Sequence, residues 1–258
     1  MDVVRSERQG EVARVTLDRP EKLNAVDNAM WGRLGELFAE LDADLSLRCV
    51  IVAGAGDRAF SVGADIAEFE ENRSSVERAR SYASRTHGAL AAIAGCRHPV
   101  IAEISGMCVG GGLELATCCD LRIAGESARF GIPVKRLGLV VAYSELKPLL
   151  ELVGPADAME ILLEGQIFGA QRAYDMGLIN RVVPDDGVGA EVEASAARIC
   201  EGAPLVARWH KKFTRRLMEA EPLSPDEVDE SYACFGTEDF RTGYQAFLAK
   251  TKPAFRGR

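Results

Sequence analysis

Between Val100 and Glu114 the chain reads as a buried strand, a turn, three consecutive glycines and the start of a helix. Val100, Ile101 and Ile104 form a β-branched run, and Gly110, Gly111 and Gly112 follow after Met107-Cys108-Val109. Leu115, Ala116, Thr117, Cys118 and Cys119 then suit a buried helix. Three glycines in apolar surroundings let something approach the backbone closely. A helix that starts there aims free N–H groups and a positive dipole end at whatever lies in front of it. Glu114, one turn in, can face the same point. An anion cradle with a carboxylate beside it suits a site that stabilises an enolate or oxyanion and moves a proton. The simpler alternative is a tight strand-to-helix turn with a surface glutamate, so the rest of the chain has to decide.

Strands and helices alternate on either side of this segment. Residues 3–17 read as two short strands joined by Gln9-Gly10, and 27–44 as an amphipathic helix with Met30, Leu34, Leu37, Phe38 and Leu41 on one stripe. Cys49–Ala53 is wholly apolar, as in a strand covered on both faces. A long helix is expected over 74–94, strands at 99–104 and 121–124, and helices at 143–152, 155–163, 170–176 and 187–202. One strand at 179–183 interrupts these helices, and further helices after Pro204 break near Pro222 and Gly236. The pattern is α/β with a helical C-terminus. Gly54-Ala55-Gly56-Asp57-Arg58-Ala59 matches a dinucleotide fingerprint in spelling. It should open a helix directly, but Phe60–Ile66 lacks the helical period, which argues for a turn.

A chain of 258 residues fits one large domain, with a core region over 1–195 and a helical region over 196–258. A net charge of −8 argues against a general nucleic-acid binder. The N-terminus has no apolar signal segment, and no run reaches the roughly 20 residues of a membrane span. The seven cysteines lack a C-x-x-C pair and sit mostly in apolar runs, as in a reduced, cytoplasmic protein. His87, His98 and His210 are scattered, so no metal site is expected.

Several segments in order resemble the enoyl-CoA hydratase/isomerase (crotonase) superfamily. They are Arg19-Pro20-Glu21-Lys22-Leu23-Asn24-Ala25, Phe60–Ile66, His98–Ala102, the glycine triple with Glu114, Cys119–Ala124, Ala128–Pro133, Gly177–Val183 and Thr237-Glu238-Asp239. The resemblance implies a crotonase-like spiral of β-β-α turns closed by C-terminal helices, assembled as a homotrimer or a dimer of trimers. It implies an acyl-CoA substrate whose thioester oxygen is gripped by the backbone amides of Ala64 and Gly111, with Glu114 moving a proton. Burial in this apolar stretch is expected to raise the pKa of Glu114. Coenzyme A belongs to the substrate, and no other cofactor is expected. By the same resemblance Lys22, Leu23 and Ala25 line the coenzyme's path, Asp65 and Ile66 lie near its adenine, and Phe247 and Lys250 contact it from the last helix.

One departure bears on the reaction. Family hydratases carry a second glutamate after the proline of Phe130-Gly131-Ile132-Pro133, and here that place is Val134. The glycine-rich segment expected next is replaced by Val140-Val141-Ala142-Tyr143-Ser144-Glu145. Tyr143 and Glu145 are therefore candidate substitutes. The alternative is structural, with Tyr143 anchoring a helix start and Glu145 a solvent-facing cap residue. Enoyl-CoA hydration is the leading expectation. Acyl-CoA decarboxylation, enoyl-CoA isomerisation and non-catalytic acyl-CoA binding remain open. Phe69, Val134, Leu139, Val140 and Val141 are expected to give the acyl pocket apolar walls.

Overall fold

The computed structural model describes residues 3–258. It begins with β1 (Val4–Gln9) and β2 (Val12–Leu17), an antiparallel hairpin in which Ala13, Val15 and Leu17 of β2 are buried at alternate positions. A single 3-10 turn at Pro20–Lys22 leads to α1 (Asn28–Ala43). Asp27 caps this helix by accepting the Met30 amide at 2.9 Å, and the expected stripe from Met30 to Leu41 is buried.

The chain then repeats one move: a long strand, a short strand, a helix. The first pass is β3 (Cys49–Gly54), β4 (Ala59–Ser61), the five-residue α2 (Phe69–Arg73) and α3 (Val76–Gly95). The second is β5 (Val100–Ile104), β6 (Met107–Val109) and α4 (Gly111–Cys118). The third is β7 (Leu121–Gly125), β8 (Arg129–Gly131) and α5 (Tyr143–Glu164), which bends where Gly154 at φ 72° precedes Pro155. The chain continues through β9 (Phe168–Gly169), α6 (Ala170–Asp175), β10 (Arg181–Val183) and α7 (Val188–Cys200). It finishes with α8 (Pro204–Arg216), α9 (Pro225–Glu230) and α10 (Glu238–Ala249).

Among the described residues the strands form a six-stranded sheet, β1-β2-β3-β5-β7-β10, and a four-stranded sheet, β4-β6-β8-β9. Pairing is parallel except for β1 with β2 and β8 with β9. This is the expected β-β-α spiral. Strands β3, β5 and β7 are covered on both faces. Val50 and Val52 join the main core, whereas Cys49 and Ile51 meet Val188, Val192 and Ala196 of α7. That alternation explains why β3 has no polar residue. Residue 195, where the sequence reading divides the chain, lies inside α7.

The sequence reading did not identify the second sheet as such. Its strands are two or three residues long, too short for a period to show. The Gly54–Ala59 stretch is the turn from β3 into β4 and opens no helix. The C-terminal helices fold back on their own chain: Lys211 Nζ donates to Asp120 Oδ2 at 2.6 Å and to the His98 carbonyl at 2.9 Å. Arg48 reaches the Phe255 carbonyl at 2.7 Å.

Candidate active site

The site lies where the short strands β4 and β6 end. After β4, Gly63 adopts φ +86°, and a Cβ there would sit 2.5 Å from the Gly111 amide nitrogen. After β6, Gly110 adopts φ 53° and ψ −130°, a region open essentially to glycine alone. A Cβ on Gly112 would lie 2.2 Å from the Ser61 carbonyl oxygen. The two glycine loops therefore touch backbone to backbone. The Ala64 nitrogen is 3.4 Å from the position a Cβ on Gly111 would take, so the two amides expected to grip an oxyanion are neighbours. Among the described residues, neither amide donates to a turn or loop carbonyl. Gly111 is the first residue of α4, where an N–H has no partner within the helix.

Buried polar groups hold the first loop in place. Asn24 is fully buried at φ 55°; its Nδ2 donates to the Ala59 carbonyl at 2.7 Å and to the Ala55 carbonyl at 3.0 Å. Asparagine tolerates this left-handed backbone better than most residues, and its amide supplies both bonds. Ser61 Oγ donates to the Asn24 carbonyl at 2.8 Å and accepts from the Gly63 amide at 3.1 Å. Backbone bonds from Val26 N to Gly63 O (2.8 Å) and from Asp65 N to Val26 O (3.0 Å) bracket Ala64 and leave its N–H unused.

Glu114 is 8% exposed, on the first turn of α4. Among the described residues no group hydrogen-bonds its carboxyl. Burial, with the negative charge of Glu145 adding to it and Arg73 opposing, pushes its pKa up to about 8. This agrees with the direction read from its apolar neighbourhood. Glu145 is not a solvent-facing cap. It does cap α5, Oε2 accepting from the Ala142 amide at 2.9 Å, but Oε1 lies 3.2 Å from His87 Nε2 and the side chain is mostly buried. His87 comes from α3, 58 residues away in the chain. It was not among the residues picked from sequence, and only a contact between α3 and α5 reveals it.

Other expectations divide. Tyr143 is 94% exposed and Val140 is 92% exposed, so neither packs in the buried surroundings of Glu114. Val134 and Val141 are half-buried and pack on the main core, and Val134 occupies a 3-10 turn after Pro133. Phe69 carries the Arg73 guanidinium on its ring, so that wall is not purely apolar. Lys22 and Asp65 do come together: Asp65 Oδ2 accepts from Lys22 Nζ at 2.9 Å and from Arg19 at 3.0 Å, which holds the Asp65 carboxyl below its ordinary pKa. Leu23, at φ 53°, and the buried Ala25 shape the same turn, and Ile66 beside it is exposed. Phe247 is exposed and Lys250 terminates α10; among the described residues neither has a hydrogen bond or ion pair to the Lys22–Asp65 cluster. A cavity of about 990 Å³ lies elsewhere, between α8 and α9, and contains none of the site residues.

Among the described residues no three His, Cys, Asp or Glu side chains gather as a metal would require. No described helix is long and apolar enough to cross a membrane.

The family model described as enoyl-CoA hydratase/isomerase matches residues 7–258. The chain is 33% identical over 251 residues to a crotonyl-CoA hydratase of Syntrophomonas wolfei, covering 96% of each. It is 32% identical to a short-chain-enoyl-CoA hydratase of Clostridium acetobutylicum, covering 95% of this chain and 94% of that one. A crystal structure of an enoyl-CoA hydratase/carnithine racemase from Magnetospirillum magneticum superposes with a TM-score of 0.98 at 48% identity, covering 100% of this chain and 97% of the other.

Proposed function

The chain belongs to the enoyl-CoA hydratase/isomerase family, and within it we propose that this protein reversibly adds water to a 2-enoyl-CoA, using Glu114 and Glu145 as its two carboxyl groups. The observation that carries this reading is the pairing of two glutamates although the usual second position is Val134. The charge of the mostly buried Glu145 adds to the burial that raises the Glu114 pKa, and Glu145 comes from the start of α5 rather than from the turn after Pro133, which supports this reading.

Hydration needs an acid and a base at once, and two carboxyl groups in unlike surroundings supply them. Glu114, held protonated by burial, is the acid. Glu145, anchored by Ala142 and His87, is the base. Glu145 takes one proton from water as the water oxygen bonds to the β-carbon. Electrons of the double bond move to the thioester oxygen, which the Ala64 and Gly111 amides face. These donors are fixed before reaction and need no reorganisation as charge develops. Glu114 then gives its proton to the α-carbon and the enolate collapses. The product has gained H and OH. The proton held by Glu145 returns to Glu114 through water, and dehydration runs the same steps backwards.

The test is hydration of crotonyl-CoA by the wild type, Glu114→Gln and Glu145→Gln. Each variant is expected to lose about 10²- to 10⁴-fold in kcat. Full activity in Glu145→Gln would return the second role to another group. The exposed apolar side chains of the C-terminal helices, among them Phe235, Phe247 and Leu248, support the proposed homotrimer or dimer of trimers. Sedimentation analysis checks that assembly.

A further inference from the structure

Arg73 ends α2 with its guanidinium held between two rings. The guanidinium carbon lies 4.5 Å from the ring centroid of Phe69, one turn earlier, and 4.8 Å from that of Tyr82 on α3. Its charge also acts on the Tyr82 hydroxyl, opposing the burial that raises that group's pKa. The Tyr82 hydroxyl accepts from Trp31 Nε1 at 3.1 Å, and Trp31 Cζ2 lies 3.6 Å from the place a Cβ on Gly111 would occupy. Arg73 is thus built into the wall that ends at the oxyanion amides. Its charge acts on the buried Glu114 carboxyl, opposing the rise that burial causes there.

Among the described residues this cation has no counter-ion. Among the described residues no carboxylate oxygen lies within 4.0 Å of it, although its own segment is acidic. Glu68 is used by the Asn28 amide at 2.8 Å. Arg78, not Arg73, takes the Glu71 carbonyl at 2.9 Å. Two aromatic faces support the guanidinium without neutralising it, and its outward N–H groups remain suited to a bidentate acceptor. A pocket for a plain hydrocarbon chain gains nothing from such a group, because withdrawing an unpaired charge from water is costly. A ligand carboxylate would complete it.

We propose that Arg73 is the subsite for a free carboxylate on the acyl group, so that the substrate is a CoA thioester of a dicarboxylic, 2-unsaturated acid. The proposal rests on the acyl-CoA reading above and narrows it. The arrangement is specific to arginine: the planar fork stacks on both rings and still presents paired donors, which a lysine cannot do.

The test is calorimetric titration of the full-length protein with glutaryl-CoA and with butyryl-CoA, which share the thioester and differ in the terminal carboxylate. Both are saturated, so binding is read without turnover. Wild type is expected to bind glutaryl-CoA more tightly. Arg73→Met, which keeps an apolar stem over the rings, is expected to lower the glutaryl-to-butyryl affinity ratio about 10- to 100-fold, and Arg73→Lys to restore part of it. Equal wild-type affinity for the two esters overturns the subsite whether or not either variant folds. Equal weakening of both esters by Arg73→Met also overturns it and leaves Arg73 as an electrostatic partner of Glu114. Binding of neither ester refutes the acyl-CoA reading and the subsite together.

Discussion

Replacing Glu114 by glutamine tests the electrostatics of the site through stability, independently of any substrate. Burial and Glu145 move the Glu114 carboxyl from the ordinary 4.5 to about 8. In the unfolded chain the same group ionises near the ordinary value. Between those two pH values the folded state holds a proton that the unfolded state has lost, so stability falls as pH rises. At about 1.36 kcal/mol per pH unit, the full cost is about 5 kcal/mol once pH exceeds the folded value. The same relation gives about 3 kcal/mol between pH 5.5 and pH 8. Glutamine has nearly the same shape and does not titrate. The stability of Glu114→Gln relative to wild type should therefore grow by roughly that amount over this interval, while most other titrating groups cancel in the difference. The assay is urea unfolding of both proteins at matched concentration across that pH range. A difference that stays flat from pH 5.5 to pH 8 would show that Glu114 ionises normally, and the assignment of Glu114 as the protonated acid would be withdrawn.

Other perturbations address the framework around it. Gly63→Ala places a Cβ 2.5 Å from the Gly111 nitrogen at φ +86°, so both glycine loops must move; a lower Tm and near-complete loss of crotonyl-CoA hydration are expected. Asn24→Ala leaves the Ala55 and Ala59 carbonyls without their donor and puts alanine at φ 55°, with an expected cost of about 1–3 kcal/mol by chemical denaturation. His87→Leu removes the partner of Glu145 Oε1 while the Ala142 cap remains, so kcat is expected to fall about tenfold or more with little change in KM; His87→Asn should recover part of it. An unchanged kcat in His87→Leu would remove His87 from the mechanism.

Much of the scaffold is determined locally and was legible. Gly110 is required by its positive φ and Gly112 by its contact with the Ser61 carbonyl, and the residues flanking the triple are apolar, so the turn and the burial of Glu114 were legible from that composition. The short strands of the second sheet were not legible, because three residues carry no period and their pairing joins β4, β6 and β8 across long intervals.

The second half of the site belongs to tertiary structure. Tyr143 and Glu145 stand two residues apart at the start of α5, and side chains at that spacing point to nearly opposite sides of a helix. One had to face inward and the other outward, and nothing within the segment says which. Packing of α3 beside α5 decides it: His87 meets Glu145, and Tyr143 is left in solvent. The same holds for Arg73, an ordinary arginine in an acidic stretch until Phe69 and Tyr82 close around it. Residue type and local spacing fix where the proposed oxyanion amides and the first proposed carboxyl lie. The charges facing them come from helices that become neighbours only once the core has formed.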